Sequence, residues 1–351
     1  MSTAVTFDTS ALVSIAIPTF DRLDYLKEAV ASALAQTYHN VEVLIGDDGP
    51  TGVIQAWCRG AVSRDARVRY QRNHKNLGLA GNWNALADSA RGEFLVIIGD
   101  DDRLLPDFVG KLLAAIRPAA QVAFANHYLI DSRGARLGAE SYQHTRLYHR
   151  DRLPAGEVAN AAICVWRKSI PLSATLMHTR DIQRLRFKED VNIPEIETFA
   201  LLAQEGARFV FVPEYLSEYR THAQSYTATG LTSEKLVKYM LPIPVSPEVE
   251  PYKREFMSAL LVNAVSRCLQ QGEREMARQF LANEYYPRPQ WKKLFRHGRS
   301  AATTQATPDA GRSDVLYDAL VSWAQGACAR LPAPFDRRVY RLIQRAKAAV
   351  L

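Results

Sequence analysis

Over its first hundred residues the chain alternates short apolar runs with stretches of helical periodicity. Val13-Ser14-Ile15-Ala16-Ile17-Pro18 predicts a strand stopped by its proline, and Asp24 is placed to cap a helix running to about Gln36. Val41-Glu42-Val43-Leu44-Ile45 predicts a second strand, ending in Gly46-Asp47-Asp48-Gly49-Pro50, with a short helix from about Gly52 to Arg59. Val68–Gln71 predicts a third strand, which leads into a Gly-Asn loop and a helix around Trp83–Ala90. Strands that alternate with helices indicate a mostly parallel sheet covered on both faces.

The fourth run, Phe94-Leu-Val-Ile-Ile-Gly-Asp-Asp-Asp102, carries the most chemistry. A continuously apolar strand suits the buried interior of a parallel sheet. Such a strand cannot bury three successive carboxylates, so Asp100, Asp101 and Asp102 emerge at its C-terminal end, where ligands bind in open α/β sheets. Clustered hard oxygens suit Mg²⁺ or Mn²⁺ shared with phosphates. An acidic turn capping a helix would have the same residues, so both readings stay open at this point.

Four blocks in this order, Val13–Arg22 (VSIAIPTFDR), Glu42–Gly49 (EVLIGDDG), Asn76–Asn84 (NLGLAGNWN) and Ile98–Pro106 (IGDDDRLLP), resemble the inverting family-2 glycosyltransferases of the GT-A fold. The resemblance weakens beyond them and fades near Ser225. It implies an α/β fold, a GT-A-type mostly parallel sheet flanked by helices, here with a helical C-terminal extension. It also implies that Pro18, Thr19 and Asp21 form the first nucleotide loop, that Asp48 beside Asp47 reads the uracil edge, and that Asn76 and Gly78 lie beside the nucleotide. Asx-type turns are the competing reading of the Asp47 and Asn76 segments. Asn84 is expected on the following helix, facing the site. Counting back from Pro106 makes Asp101 the first metal ligand, with Asp100 toward the ribose and Asp102 supporting the turn or a metal water.

In the acceptor half, a hairpin-like segment near Ser132-Arg133-Gly134 precedes a strand over Ser173–Met177. The family places a Glu-Asp pair at the opening of a helix, with the aspartate as general base. Glu189-Asp190 spells that pair but precedes Pro194, whereas Pro194-Glu195-Ile196-Glu197 opens a helix in the manner proline and acids favour. Aligning Phe199 with the family's tryptophan puts Glu195 in the base position, with Glu197 and Asp190 as the other candidates and helix capping as the plain alternative. A strand over Phe209–Pro213 leads to Tyr219-Arg220-Thr221-His222, which resembles the family's closing segment. That resemblance makes His222 a metal or diphosphate ligand. Arg220 either neutralises phosphate or pairs with a surface acid.

The net charge of +7 lies entirely in the last third: 27 basic and 27 acidic residues run through Met240, then 17 basic and 10 acidic follow. With the proline-rich stretch Leu241–Pro247, this divides the chain into a catalytic region 1–240 and a helical basic region 241–351. Helices are expected near Glu255–Gln270 and Glu273–Glu284, then an aromatic-basic segment Trp291–Arg296 and a polar linker near Ser300–Pro308. A last helix over 336–351 interleaves five basic residues with an apolar stripe; this suits either an anionic membrane surface or a packed helix with a solvated face. Cys58, Cys164, Cys268 and Cys328 show no metal or disulfide spacing. No signal peptide or membrane span is expected, so a cytoplasmic location is, alone or with peripheral contact on the inner face of the cytoplasmic membrane. No nucleic-acid module is expected.

The expectation is therefore a metal-dependent transferase that moves sugar from a nucleotide-diphosphate donor, UDP-linked for preference, to a glycan or lipid-linked oligosaccharide. A sugar-nucleotide nucleotidyltransferase is the second reading, although no Gly-rich basic triphosphate loop is present. A catalytically silent glycan-binding relative is the third.

Overall fold

The computed structural model describes residues 11–116, 120–222 and 233–287. The N-terminal part runs β1 (Val13–Thr19), α1 (Leu23–Leu34), β2 (Val41–Asp47), α2 (Val53–Arg64), β3 (Val68–Arg72), α3 (Gly78–Ser89) and β4 (Phe94–Ile97). Then come β5 (Arg103–Leu104), α4 (Phe108–Ile116), β6 (Val122–Ile130), β7 (Arg136–Leu137), α5 (Gly138–Leu147), β8 (Gly156–Glu157) and α6 (Ala161–Trp166). The rest comprises β9 (Thr175–His178), α7 (Thr179–Leu185), α8 (Glu195–Gln204), β10 (Phe209–Arg220), α9 (Ser233–Met240), α10 (Glu250–Gln271) and α11 (Arg274–Ala282).

The strands form one sheet in the order β3-β2-β1-β4-β9-β6-β10-β5, with β7 on β6 and β8 on β10. β3, β2, β1 and β4 are mutually parallel, as are β6 and β10. β9 is antiparallel to both β4 and β6 and joins the two parallel groups. The sheet is thus mostly parallel along its length, as the alternating pattern predicts. β1 and β2 are buried at every position, which explains their mostly apolar spelling, and the polar pair within them is satisfied internally, the Ser14 hydroxyl donating to Glu42 Oε1 at 2.6 Å. Val13, Ile15 and Ile17 join Leu26, Phe108 and Leu112 in the main core. Each fully buried side chain of this size contributes about 1.5–3 kcal/mol. On the opposite face α3 presses onto β2, so closely that a Cβ on Gly46 would lie 2.9 Å from Leu86 Cγ.

Several element boundaries differ from the expectation. β1 continues through Pro18 to Thr19; its pairing with β4 ends at Ala16, so the missing N–H costs no bond on that side. α2 extends to Arg64, and α3 begins at Gly78 rather than near Trp83. The segment 209–213 is the start of one twelve-residue strand, whose register slips around Pro213 and Tyr215. Asn126 Nδ2 donates to the Pro213 carbonyl at 3.0 Å there, and the bulge lets the strand continue past a residue without an N–H.

The chain divides into two compact units, residues 1–257 and 258–351, within α10. In the second unit Val265, Cys268 and Ala277 form a small core with Leu269, Phe280 and Leu281. Gly272, at φ +78°, ends α10 and lets the Glu273 N–H reach the Cys268 carbonyl at 2.7 Å. The expected segments 291–296, 300–308 and 336–351 lie outside the described residues. Among the described residues no helix is long and apolar enough to cross a membrane.

Candidate active site

The carboxylates of β1, β2 and β4 gather at the C-terminal edge of the sheet because parallel strands all end on one side. The Asp48 N–H donates to the Thr19 carbonyl at 3.1 Å, which ties the first two loops together. Asp21 adopts φ +55°, and its Oδ1 accepts from the Thr51 hydroxyl at 2.7 Å. A Cβ on Gly49 would strike that same Oδ1, so Asp21 and the Asp47–Gly49 turn are fitted to each other. Asp47 Oδ1 accepts the Gly49 N–H at 2.8 Å and its Oδ2 the Tyr70 hydroxyl at 2.8 Å. Asp47 therefore makes the Asx turn that was the competing reading. Asn76 does likewise, accepting the Gly78 N–H at 2.7 Å. Asp48 accepts from Asn73 Nδ2 at 2.7 Å and from the Leu77 and Gly78 backbone, while burial holds its carboxyl above the ordinary value. Pro18, Thr19, Asp21, Asp47, Asp48, Asn76 and Gly78 are thus brought to one edge.

The acidic turn after β4 is held from two directions. The Thr19 hydroxyl donates to Asp100 Oδ2 at 2.7 Å, and Arg22 bridges Asp100 and Asp101, with Nη1 2.8 Å from Asp101 Oδ2. From the other side, the Arg220 N–H donates to Asp102 Oδ1 at 2.9 Å, and Arg220 Nε donates to the Asp101 carbonyl at 2.7 Å. Arg220 also pairs with Glu28 at 2.6 Å, an acid 41% exposed. The pairing with Glu28 is the acid partner expected of it, and the whole side chain clamps the turn while lining the adjoining cavity. Burial raises the Asp100 carboxyl to about 6 against the opposing pull of Arg22, and burial also raises the Asp102 carboxyl, with Asp101 adding repulsion. A Cβ on Gly99 would lie 2.5 Å from Asp101 Oδ1, so only glycine leaves room for that rotamer.

Asp101 is the member of the triplet that meets His222: Oδ2 stands 2.8 Å from His222 Nε2. The Asp101 carboxylate oxygen is the hard donor that suits Mg²⁺ or Mn²⁺, and the imidazole nitrogen beside it is a donor of the kind first-row transition metals take. Among the described residues no group of three His, Cys, Asp or Glu could hold a cation by itself. Asp101 and His222 could supply two ligands to a cation that took the rest from phosphate and water.

A cavity of about 500 Å³ opens beside this turn, lined by Arg22, Asp101 and Asp102 on one side and by Glu195 on the first turn of α8. Glu195 Oε2 is buried and accepts no hydrogen bond, and burial raises its carboxyl to about 7. The helix opens at Glu195 as the sequence predicts. Glu197 and Asp190 do not line the cavity. Glu197 is buried, raised by desolvation, and has Lys188 at 3.7 Å, whereas Asp190 is exposed and accepts from the Tyr239 hydroxyl at 2.8 Å.

Asn84 corrects the expectation that it faces the site. Its Nδ2 donates to the Phe187 carbonyl and its Oδ1 accepts the Phe187 N–H, both at 2.9 Å, fastening α3 to the segment before α8. The cavity also includes residues the sequence did not flag: His127, His144, Tyr148, Arg150 and Lys168. His127 lies inside the apolar run of β6, and Arg150 and Lys168 lie in connections, so no periodicity marks them.

Residues 14–165 match the family described as Glycosyl transferase family 2. Glycosyltransferase GlyG of Streptococcus pneumoniae is 31% identical over 123 residues, 35% of this chain and 41% of that protein. A GalNAc(5)-diNAcBac-PP-undecaprenol β-1,3-glucosyltransferase of Campylobacter jejuni is 30% identical over 124 residues, 35% of this chain and 40% of that one. The chain thus spans about two fifths of the length of these curated relatives. Among solved structures, Staphylococcus aureus TarS 1–349 with UDP-GlcNAc has a TM-score of 0.57 at 15% identity, over 77% of this chain and 79% of that one. The mannosyltransferase PcManGT of Pyrobaculum calidifontis with GDP-Man and Mn²⁺ has a TM-score of 0.56 at 16% identity, over 96% and 85%. With the strand-end carboxylates, the matched stretch from Ser14 to Val165 makes this part of the chain similar to the family-2 glycosyltransferases, on a GT-A-like α/β fold shared with these solved structures.

Proposed function

We propose that this protein is an inverting, divalent-cation-dependent glycosyltransferase that transfers sugar from a nucleotide-diphosphate donor, UDP-linked for preference, to a hydroxyl of a glycan or lipid-linked oligosaccharide. The observation that carries the reading is that Asp101 and Glu195 line one cavity at the carboxyl edge of the sheet. A general base is most effective when its acidity lies near the working pH, and burial brings Glu195 to about 7. Glu195 takes the proton from the acceptor hydroxyl as that oxygen attacks the anomeric carbon in a single displacement. Asp101 and His222 would hold Mg²⁺ or Mn²⁺, which when bound neutralises charge on the departing diphosphate. Thr19, Asp21 and Asp48 cradle the nucleotide, and Asp100 approaches the ribose.

The catalytic region is assigned to residues 1–240 and a helical basic region to 241–351. We place the protein in the cytoplasm, where nucleotide sugars are its substrates, with any membrane contact made peripherally through 336–351. The test is nucleotide release from UDP-glucose, UDP-galactose, UDP-GlcNAc and GDP-mannose with Mn²⁺. Release with one donor, lost on chelation and in Glu195→Gln, supports the reading. Pyrophosphate release from UTP and a sugar phosphate would make the protein a nucleotidyltransferase instead, and stable donor binding without release would make it a silent relative.

A further inference from the structure

The far wall of the cavity is cationic, and nothing in the mechanism above uses it. Arg150 is 2% exposed and hydrogen-bonds only neutral acceptors, with Nε 2.9 Å from Asn126 Oδ1 and Nη1 3.4 Å from the Ser169 carbonyl. Its Nη2 is 3.4 Å from His144 Nδ1. Lys168 is exposed on the same lining, and its Nζ lies 5.7 Å from the centre of the Tyr148 ring. Among the described residues no carboxylate pairs with either cation. Of the acids that line the cavity, Asp101 is engaged with Arg22 and Asp102 with the Arg220 backbone, while Glu195, whose Oε2 has no partner, pairs with neither cation. Burying a guanidinium with no carboxylate partner is costly, and an anionic ligand would offset that cost.

Two further features point the same way. Lys168 sits at φ +57°, and His149, beside Arg150, at φ +60°. Left-handed backbone at non-glycine residues is strained and gathers at ligand-binding sites. On the same lining His127 is buried, with Nδ1 unpartnered, and desolvation keeps its ring neutral, so it can donate or accept one hydrogen bond.

We propose that Arg150 and Lys168 form a subsite for an anionic group, a carboxylate or phosphate borne by the sugar that enters this cavity. The guanidinium, held by Asn126, gives a fixed fork for two oxygens, and the lysine closes on the anion from the rim. The group belongs either to the acceptor or to a uronic-acid donor. What the anion is attached to rests on the glycosyltransferase reading; its binding does not.

The test titrates full-length protein with methyl β-glucuronide, glucose 1-phosphate and methyl β-glucoside at constant ionic strength, reading binding by saturation-transfer NMR. The anionic probes should bind about tenfold more tightly than the neutral one, the range of a charge-assisted hydrogen bond. That preference should shrink in Lys168→Gln, which removes one of the two charge contacts and leaves the Arg150 fork. Arg150→Lys, which keeps the charge and loses the fork, should weaken both anions, with melting temperatures confirming folded protein. Equal binding of all three probes, or an anion preference undiminished in both Lys168→Gln and Arg150→Lys, overturns the proposal. Loss of UDP binding in Lys168→Gln also overturns it, by assigning the cation to the donor diphosphate.

Transfer from UDP-glucose to octyl β-glucuronide against octyl β-glucoside, and turnover of UDP-glucuronate against UDP-glucose, separate acceptor from donor as the source. Anion binding without turnover of any pair would support the subsite and remove the glycosyltransferase reading.

Discussion

Glu195→Gln separates stability from catalysis at one atom. Burial raises this carboxyl from 4.5 to about 7, so the folded protein keeps the proton longer than the unfolded chain does. Stability from the protonated group is complete below about 4.5, declines as pH rises toward 7, and is gone above it. A tenfold change in acidity corresponds to about 1.4 kcal/mol, so ionised Glu195 costs about 3 kcal/mol at pH 8. Glutamine keeps the shape and carries no charge at any pH. Its amide N–H would sit where Oε2 now accepts nothing, at a cost of about 1 kcal/mol. The variant should therefore be more stable than the parent by about 2 kcal/mol at pH 8, a rise of roughly 4–8 °C in melting temperature for a domain of this size. At pH 5 the ionisation cost has shrunk below about 1 kcal/mol, and the two proteins should melt together. Nucleotide-sugar turnover should fall by about 10²–10⁴, and parental kcat/KM should climb as pH rises through 7. Urea melts at both pH values and initial rates of nucleotide release supply the readouts. A stability difference that is the same at pH 5 and pH 8 would refute the burial argument, and near-parental turnover would refute the base assignment.

Two other substitutions test the frame around that residue. Asp101→Ala should abolish Mn²⁺-dependent turnover and leave the melting temperature within a few degrees, because the Arg22–Asp100 pair and the Arg220 clamp on Asp102 remain. Asp102→Ala strips the Arg220 N–H of its acceptor, at a cost of about 1–3 kcal/mol, and full activity of Asp101→Ala beside a dead, folded Asp102→Ala would reverse the metal assignment. Asn84→Ala removes both bonds to the Phe187 backbone and should destabilise by about 2–4 kcal/mol in urea melts; an unchanged midpoint would show that α3 is not fastened there.

The sequence determined what depends on neighbours along the chain. Apolar runs too short for helices and bounded by Asp, Gly and Pro made β1, β2 and β4 legible, and their common direction followed from the helices between them. The same locality placed Asp47, Asp48 and the triplet at one edge, and set Glu195 on the opening turn of α8. Tertiary structure decided which atoms face which. A triplet of identical residues carries no sign of its own orientation. The Arg220 backbone, more than a hundred positions later, takes Asp102, while Arg22 and His222 take Asp101. Asn84 reads as a site residue from its block, yet packing turns it to Phe187. The cationic wall was hidden for the same reason. His127 sits in an apolar strand, Arg150 in a 3₁₀ turn and Lys168 at a left-handed bend, and no period of 2 or 3.6 links them. Their meeting is set by how β6 and the two connections close around one cavity, and closure between distant segments leaves no mark in local sequence.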